Sequence, residues 1–233
     1  MGIRGKIFLP FIAVIAVLGG ASLWGLDRAL DSLENRFVSQ IMAAKAAEIE
    51  NAIDNASRMA MEQAALFARA PGVLEAYQDA LAGNIADEKD PGAQRARETL
   101  RKSLSPMLAG YAELMGGRKF MLHYHLPNAR SLVRLWRSKQ VTRNGQQMDI
   151  SDDLTSFRPT VIDANSSRKP VMGIEIGEGG FAIRGVTPIA SPQGAHLGTV
   201  EALAEFGPIL EAASGEGQQL VLYMNAEHLN VAA

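Results

Sequence analysis

The sequence predicts an α+β fold: a helical first half that opens with a transmembrane segment, then an antiparallel sheet flanked by helices. Three observations carry this expectation. An uncharged apolar run, "IFLPFIAVIAVLGGASLWGL", occupies residues 7 to 26. A stretch without Gly or Pro follows to about residue 70, with apolar residues spaced three and four apart. From residue 118 the texture changes to short alternating segments punctuated by glycine, the pattern of strands joined by brief turns.

The apolar run has the length that crosses the hydrocarbon core of a bilayer as a helix. Arg4, Lys6 and the amino terminus precede it and Asp27 follows, so the positive-inside bias places the start in the cytoplasm. A cleaved signal peptide would have a shorter apolar region, so an uncleaved anchor is expected. The stalk after it carries Leu30, Leu33, Phe37, Ile41 and Ala44, then Ile49, Ile53, Ala56 and Ala60, with a slip between the two sets. This reads as one long helix, packed on its own domain or on a second copy along a near-heptad seam. "APGV" at 70 to 73 breaks it, a short helix runs to about Leu81, and another spans Ala93 to about Met115, bent at Pro106.

Six strands are expected in "KFMLHYHL", "SLVRLW", "PVMGIEI", "FAIRGVTPIA", "HLGTVEALAEF" and "QQLVLYM". Helices are expected at Arg158 to Ser167 and near Pro208 to Ala213. The division is then 1–26 anchor, 27–117 helical segment and 118–233 sheet domain. The chain has 233 residues, formal charge -2 and no cysteine, which excludes disulfides, thiolate zinc sites and cysteine nucleophiles. With no global basic field, a nucleic-acid partner is not expected.

Pairing residues 119–126 with 129–136 around Pro127 and Asn128 sorts the side chains by strand alternation. Phe120, Leu122, Tyr124, Leu126, Val133 and Leu135 make a core face. Met121, His123, His125, Arg130, Leu132, Arg134 and Trp136 make a mixed one. Arginine forks among apolar walls suit a carboxylate or phosphate. From Arg118 to Arg158 eight Lys or Arg stand against three Asp, which would draw an anion. His123 and His125 point the same way, but crowded arginines oppose a cation and no third ligand has convincing spacing, so no metal is expected. Asp152 and Asp153 read as turn or helix caps, and Arg158 precedes Pro159, a favoured first helical residue. Glu175 and Arg184 lie on neighbouring strands as an ion pair or as ligand contacts, and Glu201 is expected to partner an arginine.

The ordered motifs H-x-H-x-P, S-x-x-R-x-W, D-D-L-x-x-F-R, K-P-V-x-G and I-R-G-x-x-P, followed by "GTVE", resemble the Cache-type double sensory domains of bacterial methyl-accepting chemotaxis proteins and sensor histidine kinases. The likeness spans about residues 27 to 225. It implies a PAS-like sheet on a long extracytoplasmic helix, a single N-terminal pass of the inner membrane and a periplasmic sensor. It also implies a small ligand in the cup of the sheet, and family members continue into a second transmembrane helix with cytoplasmic modules; with the arginine excess and the near-heptad seam, the expectation is an anionic ligand, such as a carboxylate, and a homodimer through the long helix. His123, His125, Arg134, Trp136, Arg158, Arg184 and Glu201 are then the ligand-binding candidates, with no cofactor and no catalysis. Two alternatives are a metal-assisted hydrolase using His123, His125 and Glu201, for which no nucleophile elbow, P-loop or H-E-x-x-H is present, and a structural envelope protein.

Overall fold

A computed structural model describes residues 3–177, 180–215, 220–223 and 225–228. The chain divides into two units, Met1–Glu50 and Asn51–Ala233. Helix α1 spans Ile3–Phe67, and it is long and apolar enough near its start to cross a membrane. Residues Phe8 to Leu26 expose their apolar side chains along it.

Within the second unit, α2 (Val73–Ala82) and α3 (Pro91–Leu114) follow as the breaker residues require. Asp90 caps α3 by accepting the Ala93 N–H at 2.9 Å, with Pro91 in the first turn where its missing N–H costs nothing. Pro106 lies inside α3. The strands are β1 (Leu122–His125), β2 (Ser131–Arg134), β3 (Val141–Arg143), β4 (Gln146–Met148), β5 (Val171–Gly177), β6 (Gly180–Ala190) and β7 (His196–Ala204), with α4 (Pro159–Ser167) before β5 and α5 (Gly207–Ala213) after β7. Five strands form one antiparallel sheet in the order β2-β1-β7-β6-β5, and β3 and β4 pair as a separate hairpin.

The α+β class holds, and the differences from expectation are local. The β3–β4 hairpin is additional; its strands are three residues each and exposed at most positions, so they carry no apolar alternation to read. In "QQLVLYM" residues 220 to 223 form no strand, and residues 218, 219 and 224 lie outside those described. Two residues of the "GEGG" turn, 178 and 179, also lie outside them.

Alternation gives the sheet two distinct faces. One packs on α1, α2 and α3: Leu122, Tyr124, Val133, Ile189, Val200 and Ala202 meet Ala60, Ala64, Tyr77, Ala96 and Leu100 in a single buried cluster. Small side chains let α1 approach the sheet backbone closely. At Gly185 of β6 an added Cβ would stand 2.0 Å from the Met61 amide nitrogen and 2.4 Å from the Ala60 carbonyl carbon. Two tyrosines pin the helices to the strands. Tyr77 donates its hydroxyl to the His125 carbonyl at 2.8 Å, with the Thr199 carbonyl at 3.2 Å, and Tyr124 donates to the Phe67 carbonyl at the end of α1 at 2.9 Å. The opposite face is covered by α4, where Val161 and Ala164 are buried.

The atoms an added Cβ would meet at Gly185 are all helix backbone, so the clash cannot relax by a rotamer change. Gly185→Ala is expected to cost about 1–3 kcal/mol through overpacking. Thermal unfolding followed by circular dichroism measures it, with Gly173→Ala, where a Cβ meets open space, leaving the midpoint unchanged or slightly raised.

Candidate functional site

The face opposite the helices carries the polar residues, and its centre is Glu201. It lies on β7, the middle strand of the five, directly across from His123 on β1 and Val186 on β6, with no solvent exposure. Four groups converge on its carboxylate. Arg158 donates through Nη2 to Oε2 at 2.5 Å, and Arg184 Nη1 lies 3.3 Å from both oxygens. His123 Nδ1 is 2.9 Å from Oε1, and His125 Nε2 is 3.4 Å from the same atom.

Local structure explains how Arg158 arrives there. It precedes Pro159 at the N-terminus of α4 and offers no side-chain cap of its own. Glu175 on β5 caps the helix instead, accepting the Thr160 N–H at 2.8 Å and the Thr160 hydroxyl at 2.9 Å. The same carboxylate accepts Arg158 Nε at 2.5 Å, so the arginine bridges two glutamates from different strands. Arg134 of β2 makes a forked pair with Asp152, both bonds 2.8 Å, and its backbone N–H donates to Gln140 Oε1. Asp152 is therefore an ion-pair partner, not the cap its sequence position suggested. Asp153 does cap its turn, accepting the Thr155 N–H and hydroxyl.

A bulge in β2 alters the expected face assignment. His123 pairs with Arg134 and Tyr124 with Val133, but His125 pairs with Ser131, so Leu132 is extra. Leu132 turns into the apolar core, correcting its place on the mixed face, and Ser131 moves across to meet His123 Nε2 at 2.8 Å. Arg130 also leaves that face and donates to the Ser151 carbonyl. Thr199, two residues before Glu201 on β7, holds His125 Nδ1 at 3.0 Å.

A cavity of about 210 Å³ opens beside this network. His123, Arg134, Trp136, Arg158, Arg184 and Glu201 all line it. His125 does not; it lies behind His123, its Nε2 3.1 Å from His123 Nδ1. The remaining wall includes Met121, Phe157, Phe181 and Leu203, with Glu205 among them. Of these the sequence reading had only Met121, although Leu203 shares the two-residue period of β7 with Glu201.

Charge in and behind the wall is balanced. Among the described residues Arg134, Arg137, Arg158 and Arg184 stand with Glu201, Glu205, Asp152 and Glu175, four against four. Arg184 is 4% exposed, and its Nε sits 3.4 Å from Glu175 Oε2 without a hydrogen bond among the described residues. Burial pushes the Glu201 carboxyl upward, but the Arg158 and Arg184 guanidiniums outweigh it and hold the group well below 4.5. Burial lowers His123 well below 6.5, reinforced by His125 and Arg134, and burial also lowers His125.

Ligand-type atoms of His123, His125 and Glu201 lie within 4.8 Å of one another, close enough to share an ion. Glu201 already accepts two guanidiniums, however, and a divalent cation would join three buried arginines. The arrangement favours two neutral imidazoles donating toward one carboxylate, with the Ser131 and Thr199 hydroxyls on their far nitrogens.

A family model described as "Double sensory domain of two-component sensor kinase" matches residues 38–216. Several solved structures resemble the chain, three of which follow. An extracellular ligand-binding receptor from Desulfohalobium retbaense aligns with a TM-score of 0.36 at 16% identity, over 74% of this chain and 26% of its own. The ligand-binding domain of the Campylobacter jejuni chemoreceptor Tlp3 in complex with L-valine aligns with a TM-score of 0.33 at 10% identity, over 72% and 66%. The sensory domain of the same receptor with isoleucine bound gives 0.33, 10%, 72% and 65%. The chain thus spans about a quarter of the first structure and just under two thirds of the other two. No curated protein matches it.

Because both buried histidines have folded pKa values below the ordinary 6.5, the unfolded chain takes up more protons than the folded one once pH falls below that value. Stability is expected to be level from about pH 8 to 7 and to fall from about pH 6.5 downward. Glu201 adds a further loss below about pH 4.5, where the unfolded glutamate protonates. Unfolding midpoints across this range should lose part of their slope between pH 6.5 and 5 in His123→Gln and in His125→Gln. The same slope in both variants and the parent would contradict the assignment.

Proposed function

We propose a function for this chain from its family: it belongs to the double sensory domains of two-component sensor kinases, the Cache-type sensor domains. Membership makes it a sensory domain and not an enzyme, in keeping with the sequence expectation. The finer reading is ours. The chain is the ligand-binding module of a membrane-anchored transducer, held in the inner membrane by the apolar start of α1, with the sheet domain in the periplasm. Residues 1–26 act as anchor, 27–117 as the helical segment and 118–233 as the ligand-binding domain. Two copies associate through the long helix, and ligand occupancy is relayed along it. The relay requires only that the ligand bind two helix arrangements with different affinity.

The ligand is a small molecule bearing a carboxylate. One observation supports this above the rest: the side chains of Arg134, Arg158 and Arg184 line the same cavity as the rings of Trp136, Phe157 and Phe181. A carboxylate suits the guanidinium side of that wall, and the aromatic side takes the carbon skeleton. The volume of about 210 Å³ is below the roughly 300–1,000 Å³ of sites for drug-sized ligands, which limits the occupant to a few carbon atoms. The balanced charge of the wall favours a ligand with little net charge over a polyanion, so the strong anion attraction expected from composition does not belong to this cavity. His123, Arg134, Trp136, Arg158, Arg184 and Glu201 are its proposed ligand-binding residues. His125 acts through His123 as a positioning residue.

The full chain in detergent, screened by thermal unfolding against small mono- and dicarboxylates and amino acids, is expected to gain about 2.7 kcal/mol, roughly 5–10 °C, at a hundredfold excess over Kd of the right compound. Trp136→Ala is expected to abolish the gain while leaving the unliganded chain folded, since Trp136 is only partly buried. A panel in which no compound raises the midpoint would overturn the proposal.

A further inference from the structure

The five-stranded sheet has two edges, and only one of them is guarded. On β2 the outward backbone donors are used: Ser131 donates its N–H to the Asp152 carbonyl at 2.9 Å, and Arg134 donates to Gln140 Oε1 at 2.8 Å. β5 is the other edge, seven residues long and in unbroken register with β6. A strand edge presents a row of unpaired N–H and C=O groups, which natural proteins protect with bulges, outward charges or very short strands. β5 has none of these, and its outward backbone groups have no partner among the described residues.

Alternation identifies the residues that carry those groups. Leu203 of β7 donates its backbone N–H to the Met121 carbonyl, so residues 199, 201 and 203 turn their backbone groups toward β1, and residues 200, 202 and 204 toward β6. Ala202 and Ala204 pair with Gly185 and Ile183, which leaves Ala182, Arg184 and Val186 to bond β5. Their partners Glu175, Gly173 and Val171 are thereby used, and the backbone groups of Met172, Ile174 and Ile176 point away from the sheet. The side chains of Met172 and Ile174 are 45% and 48% exposed.

The strand is also matched to itself. Antiparallel pairing about a two-fold at Ile174 sets Met172 against Ile176 of the other copy and Ile174 against its own equivalent, so each outward residue enters a doubly hydrogen-bonded pair. The same register brings three apolar cross-strand pairs together on one face. A charge on that face would meet its own copy across the two-fold. The one charged residue of the strand, Glu175, lies on the opposite face and is held by Arg158 and Thr160.

We infer that β5 is an interface with a second copy of this chain, two sheets continuing into one through antiparallel β5 strands. The contact uses a different element from the α1 association proposed above, and either can fail without the other.

The chain has no cysteine, so Ile174→Cys supplies a single thiol at the two-fold. The full chain in detergent carrying this substitution is treated with a short bismaleimide and run on a denaturing gel. Leu74→Cys, on α2 and similarly exposed at 40%, is the control for random collision. A dimer band at least tenfold stronger for Ile174→Cys than for Leu74→Cys is expected. Adding Met172→Lys, an outward charge of the kind that guards natural edges, is expected to weaken that band tenfold or more. Both altered positions are about half exposed, so the variants fold, and circular dichroism checks it. No band for Ile174→Cys overturns the inference and leaves the edge open to an extended segment of another protein. Equal bands for the two cysteines, or a band that Met172→Lys leaves unchanged, also overturn it, because the copies are then brought together by something other than the strand.

Discussion

The polar half of this domain depends on one buried charge. Glu201 sits fully buried in the central strand, yet its carboxyl is held well below the ordinary range because two guanidiniums and an imidazole surround it. Removing a carboxylate from water carries a desolvation cost of several kcal/mol, offset only when the partners are close and their remaining donors are used. Here each partner has a second anchor. Arg158 is tied to Glu175, Arg184 lies against the same carboxylate, and His123 rests on Ser131. The network is thus a constraint on specificity: β1, β5, β6, β7 and the start of α4 can each adopt one relative placement if every charge is to be matched.

That constraint also makes the cavity. The apolar face of the sheet is closed by alanines, leucines and tyrosines from α1, α2 and α3, packed closely enough that β6 needs glycine at position 185. The polar face does not close in the same way, because the charged side chains at the start of α4 and on the strands are each held by a partner. Space bounded by ion pairs and aromatic rings is left beside them. Packing on one side and electrostatics on the other divide the labour of the sheet: stability comes chiefly from the first, and shape from the second.

Much of this was legible in the sequence. Period-three-and-four spacing located the helices, and the breakers at Pro71 and Gly116 marked their ends. Period two placed Leu122, Tyr124 and Val133 on the core side and His123, Arg134 and Trp136 opposite. Glu201 was recognisable as an arginine partner because an acid among apolar strand residues must be paired. The bulge was not legible. A single inserted residue has no compositional mark here, so Leu132 was assigned to the wrong face and the Ser131 hydroxyl on His123 went unseen. Asp152 was misjudged because its position fits a cap equally well, and only the fold brings it against Arg134. The β3–β4 hairpin was missed because its three-residue strands are mostly exposed and carry no apolar alternation.

The account rests on Glu201 carrying its charge in the folded protein. Carboxyl-carbon NMR of the chain labelled with 13C-glutamate, with the Glu201 resonance assigned by its loss in Glu201→Gln, reads this directly. The account predicts a carboxylate shift that stays constant as pH is lowered to the ordinary glutamate value of 4.5 and below, until the fold itself is lost. A titration midpoint above 4.5 would mean that the carboxyl is protonated when its neighbours most need it, and would contradict the central claim.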